Sequence, residues 1–257
     1  MMLSHRLNDE IDYEIGIDES GRGTLFGSVF VAGVIFPRDI VVPADIPLND
    51  SKKLTPKRRA KVRQWIESNA LQWHVASRDA EYIDKHNILK ATLSGMHECI
   101  DTLTRNKNLE NVHVVIDGNY FVPNNIDVQF TTKEKADARY IHVAAASILA
   151  KEHHDDHIRE LIKQDPTLEK YKIDGNMGYG SSSHISAIKE YGPSKWHRMS
   201  FKPCKDMVPV SVSVSVPDDS VEEERKKHQE EITRLQKLLS KKQKEYLEKY
   251  GESYSVM

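Results

Sequence analysis

Apolar and polar residues alternate along Tyr13-Glu14-Ile15-Gly16-Ile17, the period of a strand, and residues 26–36 form a longer run rich in Val. Thr55-Pro56 opens a helix reaching about Asn69, with Thr55 as its cap and Pro56 in the first turn, where a missing N–H costs nothing. Residues 71–77 predict another strand. Leu89, Leu93, Met96, Ile100 and Leu103 recur at spacings of four and three, one face of a long helix. Residues 111–116 read as a buried strand and residues 128–131 as a shorter one. Asp137 stands where an N-cap would stand, ahead of a helix carrying Ile141, Ala145, Ile148 and Leu149. A later helix starts at Ser182 or Ser183 and stops at Gly192-Pro193. Strands first cluster and then alternate with helices. The expected class is α/β, with a mixed β-sheet flanked by helices.

The pattern changes near residue 206. Between Met207 and Pro217 Val and Ser alternate, bounded by prolines, which suits an extended linker over 206–220. Beyond it, 221–257 is highly charged. Ile232, Leu235, Leu239 and Tyr246 mark one narrow apolar stripe, as in a single helix or weak coiled coil. The expected organisation is a body over 1–205, the linker, and a charged helical tail.

Composition narrows the class. The chain has 257 residues, 39% of them apolar, enough for a packed core. No run of about 18 apolar residues predicts a membrane span, and the first ten residues lack the apolar stretch of a secretory signal. Cys99 and Cys204 are too few for a disulfide framework, so both are read as thiols in a cytoplasmic setting. The net charge of -2 hides a local excess. Lys52, Lys53, Lys57, Arg58, Arg59, Lys61 and Arg63 follow one another with no acid between them, a patch able to grip phosphates.

Two apolar runs end alike, in Ile17-Asp18-Glu19 and in Ile116-Asp117-Gly118. If these strands are parallel neighbours, Asp18 and Asp117 emerge together at the carboxyl edge of the sheet, where open α/β sheets place ligands. Asp137 could close that site from one side. Carboxylates so gathered repel unless a cation sits between them, and an all-oxygen set suits Mg²⁺ or Mn²⁺. Two such ions about 4 Å apart would serve phosphodiester hydrolysis. Between the acids lies Gly21-Arg22-Gly23-Thr24-Leu25-Phe26-Gly27, whose spacing matches neither a dinucleotide loop nor a P-loop. It is either a turn between antiparallel strands or a place where bare backbone approaches a ligand. His153 and His157 are four apart, but the run around them reads as a solvated helix surface.

Taken in order, these segments resemble the type 2 ribonuclease H family, ribonuclease HII. The signature is Gly16-Ile17-Asp18-Glu19-Ser20-Gly21-Arg22-Gly23, with Ser20 where Ala or Val is usual. Asp50-Ser51-Lys52-Lys53-Leu54, Ile116-Asp117-Gly118-Asn119 and Lys135-Ala136-Asp137 follow, the last with the small-residue run 144–151. Gly178-Tyr179-Gly180-Ser181 and His197-Arg198-Met199-Ser200-Phe201 complete the set. The resemblance spans about residues 13–202. It implies a ribonuclease H-like fold and an enzyme hydrolysing the RNA strand of RNA–DNA hybrids. It further implies nicking 5′ of ribonucleotides embedded in duplex DNA, leaving 3′-hydroxyl and 5′-phosphate ends. Asp18, Glu19, Asp117 and Asp137 would be its catalytic metal ligands for a two-ion Mg²⁺ or Mn²⁺ site. Gly21, Arg22 and Gly23 would contact the ribose 2′-hydroxyl, Tyr179 would stack on the sugar at an RNA–DNA junction, and Lys52 and Lys53 would meet phosphate. The chain is expected to act as a monomer.

Three departures stand out. His154 replaces a usual Arg and would carry a weaker, titratable charge; Asn176-Met177 replaces His-Lys; Ser181 replaces Thr. The rival expectations are a hybrid-binding module without catalysis and a nucleotide-dependent oxidoreductase using Gly21 to Gly27.

Overall fold

The computed structural model describes residues 3–207 apart from 9, 50, 125 and 126. The tail expected over 221–257 lies outside the described residues, as do Asp50 and all of the expected linker beyond Met207.

Strands β1 (Tyr13–Ser20), β2 (Val29–Ile35), β3 (Gln72–Arg78), β4 (Val112–Asp117) and β5 (Gln129–Lys133) make one sheet in the order β3-β2-β1-β4-β5. β1 pairs antiparallel with β2 and β2 with β3, whereas β1–β4 and β4–β5 are parallel. The sheet is therefore mixed, as the pattern predicted. The parallel register sets Ile17 beside Ile116, so the two strands run out into their carboxylates at the same edge. β2 begins three residues later than its apolar run. Gly27 there has a φ of 77°, and Phe26 instead forms a bridge to His197.

Successive side chains of β2 face opposite ways, which explains its apolar continuity. Ala32 and Val34 join the core beneath helix α4 (Ile141–Gln164), while Val31 and Ile35 join the core with Met96, Cys99, Ile100 and Leu103 of α3 (Ile88–Thr104). Leu89, in the predicted stripe of α3, is exposed because it lies at the helix start, short of the sheet. Helix α1 (Pro56–Asn69) opens as predicted, with the Thr55 hydroxyl accepting from the Arg58 N–H. A two-turn helix, α2 (Ala80–His86), capped by Asp79, was not legible from the pattern. Helix α5 (Ser182–Tyr191) starts where expected, but its cap is Ser181. The last helix among the described residues, α6 (Cys204–Met207), spans the expected boundary at 205. Among the described residues no helix is long and apolar enough to cross a membrane.

Two expectations about charge need correction. Arg59, read as part of a phosphate-gripping run, is buried, and its guanidinium donates to Glu152 at 2.7 Å and to Asp155 at 3.2 Å, both on α4. The run around His153 and His157 is not a solvated surface either, since Glu152, His154 and Asp155 are all buried. The cause is common to both: α1 packs on α4, and the charges meet in between. Arg63 and Lys61 are likewise committed, to Glu67 with Asp156 and to Asp45 respectively. Removing Arg59 leaves Glu152 buried without its cation, while Asp155 keeps Lys151 at 2.7 Å, and a broken buried pair costs roughly 3 kcal/mol. Arg59→Ala should therefore lower the urea midpoint strongly. A shift no larger than that of an exposed Arg58→Ala control would contradict the triad's role.

Candidate active site

β1 and β4 deliver Asp18 and Asp117 to the shared edge, and the single turn Ala136–Ala138 brings Asp137 to it. Asp137 is not the N-cap of α4. That helix starts at Ile141, with Tyr140 in the cap position and no side-chain cap bond. The turn's amides serve Asp117 instead: the Ala136 N–H donates to Asp117 Oδ1 at 2.7 Å, and the Asp137 N–H supports the same carboxylate. Glu19 follows Asp18 on β1, its N–H donating to Asp18 Oδ1 at 2.7 Å and its own Oε1 accepting from Arg22 at 3.0 Å.

All four acids line one cleft of about 450 Å³. Gly21, Arg22, Gly23, Lys52 and Tyr179 line it too. Lys53, next to Lys52 in the turn Ser51–Lys53, is exposed and is not part of the cleft wall. Every expected site residue but Lys53 is thus gathered in one place. Pattern reading assigned no role to Ser20, Ser51, Ser147 and Lys151, which complete the wall. Ser147 shares a hydrogen bond with Ser51 at 3.0 Å and also supports Asp18. Its signal was a lone hydroxyl among the alanines of α4, which becomes informative only once that face is known to meet β1.

The electrostatics of the cleft are unbalanced. Burial pushes the Asp18 carboxyl well above the usual carboxylate range, and the negative charges of Glu19 and Asp117 push it further. Burial also raises Asp117, against the pull of the Ala136 N–H. Acids driven to hold protons by one another are acids that a divalent cation would relieve, and oxygen-only donors suit a hard ion. As they stand, no three His, Cys, Asp or Glu side chains among the described residues form a ready-made ligand set. Glu19 is engaged with Arg22, and Asp117 with the turn, so side-chain rotation would have to accompany cation binding.

The glycine loop joins β1 to the antiparallel β2, and no helix follows it. A dinucleotide site would need a helix N-terminus there, so the oxidoreductase expectation loses its anchor. Gly21 has a φ of 84°, which few side chains tolerate. Tyr179 faces this loop: it forms a bridge with Thr24, and its ring lies 3.9 Å from where a Gly23 Cβ would be. The Lys151 ammonium sits 5.7 Å from the centre of the same ring while donating to Asp155 at 2.7 Å.

His154 lies behind the loop, fully buried, sharing a hydrogen bond with Asp155 through Nδ1. Burial lowers its pKa against the pull of Asp155, so it takes up a positive charge less readily than an exposed imidazole would. Asn176 ties the chain down locally, its amide donating to the Lys172 carbonyl and to Ser181 Oγ.

A mixed sheet with this strand order, helices on both faces and acids at one edge is a ribonuclease H-like fold. Solved structures agree. The ribonuclease H2 of Pyrococcus horikoshii OT3 matches with a TM-score of 0.58 at 23% identity, over 76% of this chain and 96% of that one. The ribonuclease HII of Archaeoglobus fulgidus, solved as a complex with PCNA, matches with a TM-score of 0.56 at 25% identity, over 74% of this chain and 95% of that one. In sequence, the Ribonuclease HII family model matches residues 15–204. The ribonuclease HII of Bacteroides thetaiotaomicron is 42% identical over 202 residues, 78% of this chain and 94% of that protein. That of Neisseria meningitidis serogroup B is 36% identical over 193 residues, 75% of this chain and 94% of that protein. The chain belongs to the ribonuclease HII family and is a ribonuclease H, a hydrolytic nuclease.

Proposed function

We propose that this ribonuclease H cuts the RNA strand of RNA–DNA hybrids and also nicks 5′ of single ribonucleotides embedded in duplex DNA, leaving 3′-hydroxyl and 5′-phosphate ends. The observation that carries this reading is the shared cleft, in which the four acids stand beside a glycine loop and an aromatic ring. Asp18, Glu19, Asp117 and Asp137 would hold two Mg²⁺ or Mn²⁺ ions. Such ions, when bound, supply charge neutralisation at the scissile phosphate and a more acidic water.

The chain's own residues do the recognition. Gly21, Arg22 and Gly23 offer main chain without bulk to a ribose 2′-hydroxyl, the group that separates RNA from DNA. Arg22 is held toward the acids by Glu19, leaving the loop's small residues as the contact surface. Tyr179 is 41% exposed, enough to offer a face to a sugar at an RNA–DNA junction. Lys52 and Lys53 would meet the backbone phosphates.

The full chain should be incubated with a DNA duplex carrying one ribonucleotide, with Mn²⁺, Mg²⁺ or EDTA, and the nick mapped to the nucleotide. One cut 5′ of the ribonucleotide, absent in EDTA and on an all-DNA duplex, is expected. Binding without cutting would favour the non-catalytic module instead. Tyr179→Ala should slow cutting at an isolated ribonucleotide roughly tenfold, the scale of one stacking contact of about 1–2 kcal/mol. A continuous RNA strand should suffer less, and equal losses on both substrates would remove the stacking role.

A further inference from the structure

Arg198 is fully buried, yet all three of its guanidinium hydrogen bonds go to main-chain carbonyls rather than to an acid. Nη2 donates to the Gly21 carbonyl at 2.7 Å, Nη1 to that of Arg22 at 3.0 Å, and Nε to that of Gly27 at 3.0 Å. Burying a cation is costly, so the fork of charge-assisted bonds must offset a large desolvation penalty. What those bonds secure is a loop that cannot secure itself. Its glycines have no side chains to pack, and Gly21 sits in left-handed backbone.

The fork has a directional consequence. In a trans peptide the N–H points opposite to the C=O of the same plane. By holding the carbonyls of Gly21 and Arg22, Arg198 therefore turns the N–H groups of Arg22 and Gly23 away from itself. Both residues line the cleft. His154 packs against the same loop from behind, its Cδ2 lying 2.5 Å from where a Cβ on Gly21 would be.

Arg198 is itself well anchored. Its N–H donates to the Leu25 carbonyl at 2.9 Å, and the Gly27 N–H donates to Trp196 at 2.9 Å. The preceding His197 continues the link to Tyr179. The Ser194 N–H donates to His197 Nδ1, which leaves the His197 proton on Nε2, 3.1 Å from His184 Nε2. That nitrogen must accept, so His184 Nδ1 carries the proton donated to the Tyr179 carbonyl at 2.9 Å. One segment, 194–198, thereby sets the backbone on both sides of the ribose-reading end of the cleft.

We propose that Arg198 is the positioning residue for ribose recognition, acting through the peptide planes of Gly21 and Arg22 and touching no substrate itself. This rests on the reading that the loop contacts the 2′-hydroxyl.

The test uses the full chain with Arg198→Met, which removes the donors, and Arg198→Lys, which keeps a charge but not the planar fork. Near-ultraviolet circular dichroism identifies folded variants, and the lysine variant serves if the methionine variant does not fold. Amide hydrogen exchange at Leu25 and Gly27, the loop amides that donate to the Gly178 and Trp196 carbonyls, should rise about tenfold while β4 stays protected, a local opening rather than a global one. On a duplex with one ribonucleotide, kcat should fall about 100-fold with KM within threefold, as expected when reacting groups are misplaced without loss of binding. Arg198→Lys should recover part of kcat. Unchanged exchange in the folded variants overturns the clamp, and raised exchange with kcat intact overturns its link to recognition. A wild-type chain that cuts no ribonucleotide-containing duplex would instead overturn the function on which the proposal rests.

Discussion

Asp117→Asn is expected to abolish cleavage, by about 10³-fold or more, and at the same time to stabilise the metal-free protein. Both effects come from one arrangement. Asp117 leaves β4 beside Asp18 on β1, and burial together with the neighbouring charge of Glu19 raises its carboxyl. A neutral amide keeps the shape and can still accept from the Ala136 N–H, but it no longer adds to the repulsion around Asp18. Because Asp117 is only half-buried, solvent screening holds the gain to about 1 kcal/mol, or ~3 °C. The sign with pH follows. Folded Asp18 and Asp117 bind protons more tightly than they do in the unfolded chain, so wild-type stability in EDTA falls as pH rises from about 4 through their folded-state values. The variant should lose less. Thermal melts in EDTA and cleavage in Mn²⁺ check the two halves separately, and a near-normal rate would remove Asp117 from the site.

The second large effect concerns Gly16→Ala. An added Cβ would lie 2.2 Å from the His142 carbonyl carbon and 2.4 Å from the Val143 nitrogen, both backbone atoms of α4. Neither can swing aside as a side chain would, so β1 and α4 must separate. Overpacking against rigid backbone costs roughly 3–5 kcal/mol here, about 10–15 °C in midpoint for a chain of this size. Asp18 follows two residues later, so any folded fraction should also be slow. Gly175→Ala is the matched control, because nothing lies within 4 Å of its added carbon. A Gly16→Ala midpoint within a few degrees of wild type would show that the two elements are less tightly apposed than the structure has them.

The distribution of sheet and acids was legible because it depends on local pattern. Apolar runs that end in Asp announce strands that deliver carboxylates, and β1 and β4 do so at adjacent positions of the sheet. What failed depends on partners distant in sequence. Arg59 looked like a solvent-facing cation because Glu152 and Asp155 lie more than ninety positions away, and the polar run around His154 looked wet for the same reason. Asp137 was mistaken for a cap because a single turn intervenes before α4, and only the fold shows that this turn's amides are spent on Asp117. Arg198 lay within a recognised motif, yet its role became visible only when the loop it holds, more than 170 residues earlier, came to rest against it.

Helix α4 has a further consequence. Along its 24 residues it presents Ser147 to the acids, His154 to the underside of the glycine loop, and Ile158 to the C-terminal core. At 1.5 Å per residue, the hydroxyl and the imidazole are spaced by about 10 Å of rigid rod. The acid cluster and the glycine loop are thus ruled off on one straightedge. Inserting a single residue between them would swing everything downstream by about 100°, so the gauge between the acids and the loop can be altered only by rebuilding both at once.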